Sequence, residues 1–151
     1  MKSEKDSRRI QTFIQVFDNI QGLFREPLVI LDSDLKVVKA NRSFCRTFGV
    51  NPEETEGLLI YDLGNGQWNI PKLKELLEEI LPENAVFDDY EVEHTFENIG
   101  RKILHFNGRR IYSRSNRTQL ILLAIEDVTD REDQKRDLEE LVSWWPGPFT
   151  I

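Results

Sequence analysis

Gln119-Leu120-Ile121-Leu122-Leu123-Ala124-Ile125-Glu126-Asp127-Val128-Thr129 is the stretch of sequence that decides the fold. Its apolar core is continuous rather than alternating, which is typical of a central strand covered on both faces. Thr129 is followed three residues later by Glu132, a spacing that predicts a capping box and the start of a helix. The stretch therefore predicts a central strand that passes directly into a helix.

Two segments before this strand have the period-2 hydrophobic pattern of strands. The first is Tyr90–Phe96, and the second is Lys102–Tyr112. The polar connections Asn98–Gly100 and Ser113–Arg117 separate the three strands. Because consecutive strands joined by short connections usually pair with each other, the sequence predicts an antiparallel meander.

Nearer the N-terminus, two shorter strands are predicted over Pro27–Asp32 and Leu35–Ala40, which are rich in Val, Ile and Leu. We interpret Asp32-Ser33-Asp34 as the hairpin loop between them, since Asp and Ser side chains close such turns. A calcium loop is excluded because the glycine and the distal glutamate of that pattern are absent.

Three helices are predicted between the second and third strands. Asn41 is expected to cap a short helix that ends at Phe48, and Asn51-Pro52 begins a second one. The third is predicted over Pro71–Leu81 and is expected to end at Pro82. The glycine-containing loop Leu63–Trp68 lacks the frame of a nucleotide-binding loop, and Trp68 is expected to pack over the core.

These elements together predict an α+β fold, a five-stranded antiparallel sheet with helices packed on one face. An amphipathic helix over Ile10–Phe24 is predicted to flank the domain. The predicted organisation is a flanking helix in 1–24, the domain in 25–128, an exit helix in 129–143 and an irregular tail in 144–151.

Composition excludes several classes of protein. The chain has 151 residues, 39% hydrophobic and 31% charged, which fits one globular domain. No apolar run is long enough to cross a bilayer, no signal peptide is recognisable, and Cys45 is the only cysteine. We therefore expect a cytoplasmic protein without membrane insertion. The net charge of −7 argues against a nucleic-acid partner.

A small basic cluster departs from this acidic balance. It comprises Arg109, Arg110, Arg114 and Arg117. We interpret it as an exposed hairpin connection, with a phosphate-binding patch as the alternative.

The sequence resembles the PAS family over about 110 positions, from Phe24 to Glu132. The resemblance is carried by motifs that are weak singly and strong in this order: Pro27–Asp32, Val38–Phe44, Phe48–Val50, Pro52–Glu54 with Gly57, and Ala124–Thr129, which resembles the family's Asp-x-Thr exit motif. The stretches Leu63–Pro71, Phe87–Phe96 and Ile99–Arg101 are similar to a subgroup found in bacterial and archaeal sensor kinases and in chemotaxis methyltransferase–methylesterase fusion proteins.

The resemblance implies a ligand cavity between the sheet and the helices and a coiled-coil output helix. Residues expected to line such a cavity are Phe44, Cys45, Phe48, Tyr61, Trp68, Leu104, Phe106 and Leu122. Residues expected to relay a signal or to hold the structure are Asp32, Asn41, Asp127 and Thr129.

No catalytic set or metal site is predicted. His94 and His105 lie in strand patterns, and no third ligand of suitable type is evident near them. A nucleophilic pair of Cys45 with a histidine would lack an orienting group. Cys45 is interpreted as a buried apolar side chain, with redox sensing as the alternative, which would require an exposed thiol of lowered pKa.

Neither flavin nor haem is favoured as the cofactor. The family's flavin motif places cysteine directly after the asparagine, where this sequence has Arg42 after Asn41. Haem-binding members carry a histidine on the long helix, and Pro71–Leu81 has none.

We expect a non-catalytic sensory module of a signalling protein such as a sensor kinase. It would bind a small ligand or a partner, dimerise through its flanking helices and act on a covalently attached output domain. A ligand-free structural module for dimerisation or docking is the alternative.

Overall fold

The computed structural model of the chain describes residues 15, 25–84, 86–112 and 119–144. The predicted flanking helix Ile10–Phe24, apart from Gln15, lies outside the described residues, as do the connection Ser113–Arg117 and residues 145–151.

Five strands form one antiparallel sheet in the order β2-β1-β5-β4-β3. The strands are β1 Leu28–Leu31, β2 Val37–Ala40, β3 Val86–Phe96, β4 Gly100–Tyr112 and β5 Gln119–Asp127. The strand with the continuous apolar core, β5, is the central one, and β3, β4 and β5 form the predicted meander.

Short helices connect β2 to β3, and a longer one follows β5. They are α1 Arg42–Phe48, α2 Pro52–Thr55, the 3-10 turn Ile60–Asp62, α3 Leu63–Gly66, α4 Pro71–Glu75, the π-helical turn Leu76–Ile80, α5 Leu81–Asn84 and α6 Thr129–Trp144. The α+β fold predicted from the sequence is confirmed. The exit helix is α6.

Local sequence signals explain where the first helix begins and ends. The Asn41 side chain accepts a hydrogen bond from the Phe44 amide at 2.9 Å, as expected of an N-cap. Gly49 ends α1 in the left-handed conformation, with φ 65°, which a residue without a Cβ adopts at little cost. The predicted bounds of this helix are confirmed.

Pro82 does not end the long helix, contrary to the sequence prediction. The helical path continues through Pro82 to Asn84 by way of the π-helical turn, in which the Leu81 amide donates to the Leu76 carbonyl. Within an α-helix proline removes one hydrogen bond, and its ring clashes with the preceding turn. The π-helical turn, which is one residue wider, gives the ring of Pro82 room and lets the helix continue.

The two faces of the sheet are different. On β5, Ile121, Leu123 and Ile125 belong to the main core under the helices. Leu122 and Ala124 point to the opposite face, where they pack with a smaller apolar cluster. We call these the inner and the outer face. The alternation of side chains along a strand therefore separates core positions from outer positions.

Candidate functional site

The space between the sheet and the helices is filled by four aromatic side chains. Phe44 and Phe48 of α1 pack against Trp68, and Phe96 of β3 packs against Phe48 and Trp68. Their ring centroids are 5.0 to 5.9 Å apart in the contacting pairs, and all four side chains are buried. This cluster occupies the position where the resemblance implied a ligand cavity.

Seven of the eight predicted cavity residues come together in the main core: Phe44, Cys45, Phe48, Tyr61, Trp68, Leu104 and Phe106. Leu122 does not join them. It lies on the outer face with Leu28 and Ile30, because its position in β5 has the opposite parity to that of Leu123. The placement of Leu122 in a shared cavity was therefore wrong.

Tyr61 is the cavity candidate that carries a buried hydroxyl, and this hydroxyl lies near Glu78. Its hydroxyl oxygen is buried, and no group of the described residues makes a hydrogen bond of regular geometry with it. Burial, and then the negative charge of Glu78, raise the pKa of the Tyr61 phenol well above its usual value. Lys74 Nζ lies 5.3 Å from the ring centroid. The phenol is therefore neutral at physiological pH.

Cys45 is buried in α1, as interpreted from the sequence. Burial, and then the Glu56 carboxylate, raise the pKa of the Cys45 thiol. A reactive cysteine needs an accessible thiolate. This environment does not support the redox-sensing alternative.

The two histidines lie on opposite faces of the sheet. His94 of β3 is on the inner side, with its ring edge-on to Phe96 at 4.7 Å between centroids. His105 of β4 is on the outer side, paired across the strands with Glu91 and Glu126. They do not form a shared site.

The junction between β5 and the exit helix is a continuous hydrogen-bonded network. The Thr129 hydroxyl donates to Asp127 Oδ1 at 2.6 Å and accepts from the Ile103 amide at 2.9 Å. The Thr129 amide donates to the same carboxylate oxygen at 3.0 Å, and Lys102 Nζ lies 3.1 Å from Asp127 Oδ2. Asp127 and Thr129 thus tie the first residue of the exit helix to β4.

This arrangement replaces the predicted capping box. Thr129 is the first helical residue, and the Glu132 amide donates to the Val128 carbonyl rather than to the Thr129 hydroxyl. The hydroxyl is engaged by β4 and Asp127 instead, so tertiary contacts override the local motif. The predicted start of the helix is correct, and the predicted cap is wrong.

The charge state of Asp127 reflects its partners. Partial burial alone would raise its pKa, but hydrogen bonds from Thr129 and the Lys102 ammonium group more than compensate. The net effect holds the pKa of the Asp127 carboxyl below its usual range. Asp127 is therefore ionised whenever the junction is formed at neutral pH.

Asp32 and Asn41 stabilise the N-terminal part of the fold and lie outside the exit junction. Asp32 Oδ1 accepts from the Asp34 and Lys36 amides at 2.9 and 3.0 Å, which closes the β1–β2 hairpin. Asn41 is fully buried, and its Oδ1 also accepts from the Leu28 amide at 2.9 Å. Asn41 thereby joins the start of β1 to the start of α1.

An open cleft of about 450 Å³ borders the aromatic cluster, and Phe48, Trp68 and Phe96 contribute to its lining. It is bordered by the α1–α2 connection, by the turn around Gly64 and Asn65, and by the end of β3. Its polar lining comes mainly from Asn51, Glu54, Asp62, Asn65, Gln67 and Asn98. The sequence did not indicate this cleft, because its lining residues belong to segments that meet only in the folded chain.

The basic cluster is divided by the sheet. Arg109 and Arg110 are successive residues of β4, so their side chains point to opposite faces. Arg114 and Arg117 lie outside the described residues. The two described arginines do not form a joint phosphate-binding patch.

Helices able to cross a membrane are absent from the described ranges, since none combines sufficient length with sufficient apolar character.

Comparison with solved structures finds the same fold in proteins of low sequence identity. An RNA-binding light-oxygen-voltage receptor superposes with a TM-score of 0.68 and 17% identity, covering 85% of this chain and 36% of the receptor. This chain therefore spans about a third of that receptor. A PAS domain from Colwellia psychrerythraea gives 0.62 and 12%, covering 78% of this chain and 98% of that domain.

A PAS domain from a two-component sensor histidine kinase gives a TM-score of 0.56 and 8% identity, covering 75% of this chain and 96% of that domain. No curated protein sequence matches this chain. The family model for the PAS domain matches residues 25–130. With that match over most of its length and the five-stranded fold around it, the chain belongs to the PAS domain family, whose members are sensory and signalling modules rather than catalytic ones.

Proposed function

We propose that this chain is a cytoplasmic regulatory module of a signalling protein, in which a change in core packing alters the pairing of the exit helix. The observation that carries the proposal is the junction at Asp127 and Thr129. One carboxylate and one hydroxyl connect the central strand, the neighbouring strand and the first turn of the exit helix. A shift of β5 against β4 must therefore move the helix or break these bonds.

The exit helix has an apolar stripe that is suited to a second copy of itself. Leu138, Leu141 and Val142 are exposed by 61, 50 and 44%, and they lie at the spacing of a coiled-coil seam. Arg136, on the other side of the helix, reaches toward Glu93 of the domain at 3.9 Å. The stripe therefore faces away from the domain, and we expect it to form a homodimer. Coupling of this kind needs a two-state element, which the paired helices would provide.

We propose further that the chain is part of a longer signalling protein with an attached output domain. Two observations support this. The sequence of the chain resembles PAS modules of bacterial and archaeal sensor kinases and chemotaxis fusion proteins, and the chain shares its fold with a sensor histidine kinase PAS domain. The input would be a small ligand or a partner.

The coupling is testable by measuring distances between exit helices in the dimer. Cys45→Ala removes the only cysteine, and Glu140→Cys then gives one label site per chain. We expect Trp68→Phe, a change in the core, to shift the distance distribution between spin labels. The same change should have no effect when Thr129→Ala is also present. Identical distributions with and without Trp68→Phe in the intact junction would refute the relay.

The second candidate function is a ligand-free module for dimerisation or docking. The aromatic cluster favours it, because the interior is filled by Phe44, Phe48, Trp68 and Phe96. Native mass spectrometry of the purified chain separates the two candidates. A retained small molecule would support ligand sensing, and a dimer without one would support docking.

A further inference from the structure

A histidine and two carboxylates from three different elements meet on the outer face of the sheet. Glu91 of β3 and His105 of β4 are direct cross-strand partners, with Glu91 Oε1 at 3.1 Å from His105 Nε2. Glu132 comes from the first turn of the exit helix, which crosses this part of the sheet. One donor atom from each of the three residues lies within 4.8 Å of the other two.

The donor set has the chemistry of a transition-metal site. Imidazole nitrogen with carboxylate oxygens suits zinc and neighbouring divalent ions, whereas magnesium and calcium prefer oxygen ligands alone. Ligand atoms around a four-coordinate zinc ion are about 3.4 Å apart, given bonds of about 2.1 Å. The side chain of Glu91 is half-exposed and can rotate toward this spacing.

A further carboxylate is placed to orient the imidazole. Asp89 Oδ1 lies 3.9 Å from His105 Nδ1, the ring nitrogen that faces away from Glu91. Metal-binding histidines commonly donate this second N–H to a carboxylate, which fixes the ring. Asp89 is held in a left-handed conformation, with φ 50°, and its amide donates to the Asn107 side chain at 2.9 Å.

Nearby cations are engaged by other acids. Arg131 lies 3.4 Å from Glu126, the third neighbour of His105 on the outer face. Arg136 lies against Glu93. Among the described residues, no lysine or arginine forms an ion pair with Glu91 or Glu132. Asp89, Glu91 and Glu132 therefore give the site a negative charge that a cation would neutralise.

We propose that Glu91, His105 and Glu132 bind a divalent transition-metal ion of the zinc class. The bound ion ties the first turn of the exit helix to β3 and β4 from the outer face, while the Asp127–Thr129 junction ties it at the end of β5. The sequence did not predict this site, because its ligands are separated along the chain and Glu132 was interpreted as part of a capping box. Metal binding at these residues does not depend on the proposed relay.

Calorimetric titration of the full chain with Zn²⁺, after treatment with a chelator, tests the proposal. We expect one ion per chain, no displacement by Mg²⁺ or Ca²⁺, and a visible absorption spectrum when Co²⁺ replaces Zn²⁺. His105→Gln and Glu132→Gln should each weaken binding at least tenfold. His94→Gln and Glu139→Gln, which alter the other histidine and an acid elsewhere on the exit helix, should bind as the unaltered chain does.

A second measurement keeps the test decisive if His105→Gln folds poorly. Hydrogen exchange at the first turn of the exit helix should slow on adding Zn²⁺ to the unaltered chain and stay unchanged in Glu132→Gln. Absence of Zn²⁺ binding, or binding that survives Glu132→Gln and is lost in His94→Gln, would overturn the proposal. If the chain does not bind Zn²⁺ but Trp68→Phe still shifts the distances between exit helices, the metal site is refuted and the proposed function is not.

Discussion

The Thr129 hydroxyl forms hydrogen bonds with two partners in different elements, so removing it should lower the stability of the fold. Thr129→Ala deletes the bond to Asp127 and leaves the Ile103 amide without its acceptor. We expect a loss of about 1–3 kcal/mol in the free energy of unfolding, the usual range for a buried donor left without a partner. Urea denaturation monitored by circular dichroism measures it. Thr129→Ser, which keeps the hydroxyl, is the matched control and should retain most of this stability.

The carboxyl of Asp127 should make stability depend on pH in a defined direction. Because its pKa is lowered by folding, ionised Asp127 stabilises the native state above its unfolded pKa of about 4. This contribution is lost as the pH falls through the lower folded pKa. Asp127→Asn keeps a side-chain oxygen for Thr129 but loses the ion pair with Lys102.

Urea denaturation of Asp127→Asn and the unaltered chain at several pH values checks this. The unaltered chain should be more stable at pH 7, by up to about 1 kcal/mol for a partly exposed ion pair. The difference should shrink toward pH 3. A difference that stays constant over this range would show that the charge of Asp127 does not contribute.

At the residue scale, the sequence predicts those roles that depend on near neighbours. Asn41 was recognised as a cap because its acceptor role involves Phe44, three residues away. Its bond to the Leu28 amide, 13 residues away, was not. Thr129 was misassigned for the same reason, since Ile103 competes for its hydroxyl from a distant part of the chain. Tertiary partners decide what a polar side chain does.

The pairing of β3 with β4 depends on the absence of a side chain at Gly108. A Cβ at this position would lie 2.2 Å from the Phe87 ring, its cross-strand neighbour. We expect Gly108→Ala to cost about 1–3 kcal/mol, since the ring must move within a packed core. Urea denaturation of both single variants and the double variant measures the coupling. In the Phe87→Ala background the added methyl should cost little, and an equal cost in both backgrounds would show that the ring is not the obstacle.

The exit helix should lose its self-association when its apolar stripe is charged. Leu138→Glu with Leu141→Glu places two acids on the face that points away from the domain. Each leucine contributes about 1.5–3 kcal/mol when buried. We therefore expect the dimer to weaken by well over tenfold in sedimentation equilibrium, with unchanged stability of the domain. Ser143→Glu adds one acid outside the stripe and should leave association intact, whereas Leu138→Glu alone, which adds the same charge within the stripe, should weaken it. Equal weakening by these two single changes would indicate a general charge effect.

At the element scale, hydrophobic period and turn residues predicted the strands, α1 and the start of α6. The continuous run in β5 indicated the central strand because neighbours on both sides and packing on both faces require it. The path through Pro82 was missed because a π-helical turn has no distinct sequence pattern. The sequence also does not show which residues of β5 face the helices, because both faces of this strand are apolar. The prediction for Leu122 was wrong for this reason.

At the scale of the whole molecule, the class of fold was predictable and the nature of its interior was not. The cavity candidates other than Leu122 lie together in the main core, on α1, on the segment before α4 and on β4. Whether these residues surround a cavity or fill the interior depends on how the rings of Phe44, Phe48, Trp68 and Phe96 pack together. No local sequence pattern predicts that packing. The open cleft and the cluster around His105 are likewise products of long-range contacts.

Trp68 decides between a filled and a ligand-accepting interior. Its side chain is 1% exposed and packs against Phe44, Phe48 and Phe96 at once. In a closely packed core, Trp68→Ala should cost about 3–5 kcal/mol, because the indole is lost and the surrounding rings close the space only partly. Such a loss is a large part of the about 5–15 kcal/mol that stabilises a typical domain. Trp68→Phe, which retains an aromatic ring, should cost considerably less.

Urea denaturation with a global probe measures both variants, and the result bears on function. A loss of several kcal/mol for Trp68→Ala would mean that a ligand could enter only by displacing well-packed rings, which favours input through a partner or through the cleft. A loss below about 1 kcal/mol would show that the indole makes few of the contacts expected of a core residue. In that case Trp68 would act as a movable cover over the interior, and ligand sensing within the domain would be favoured over docking.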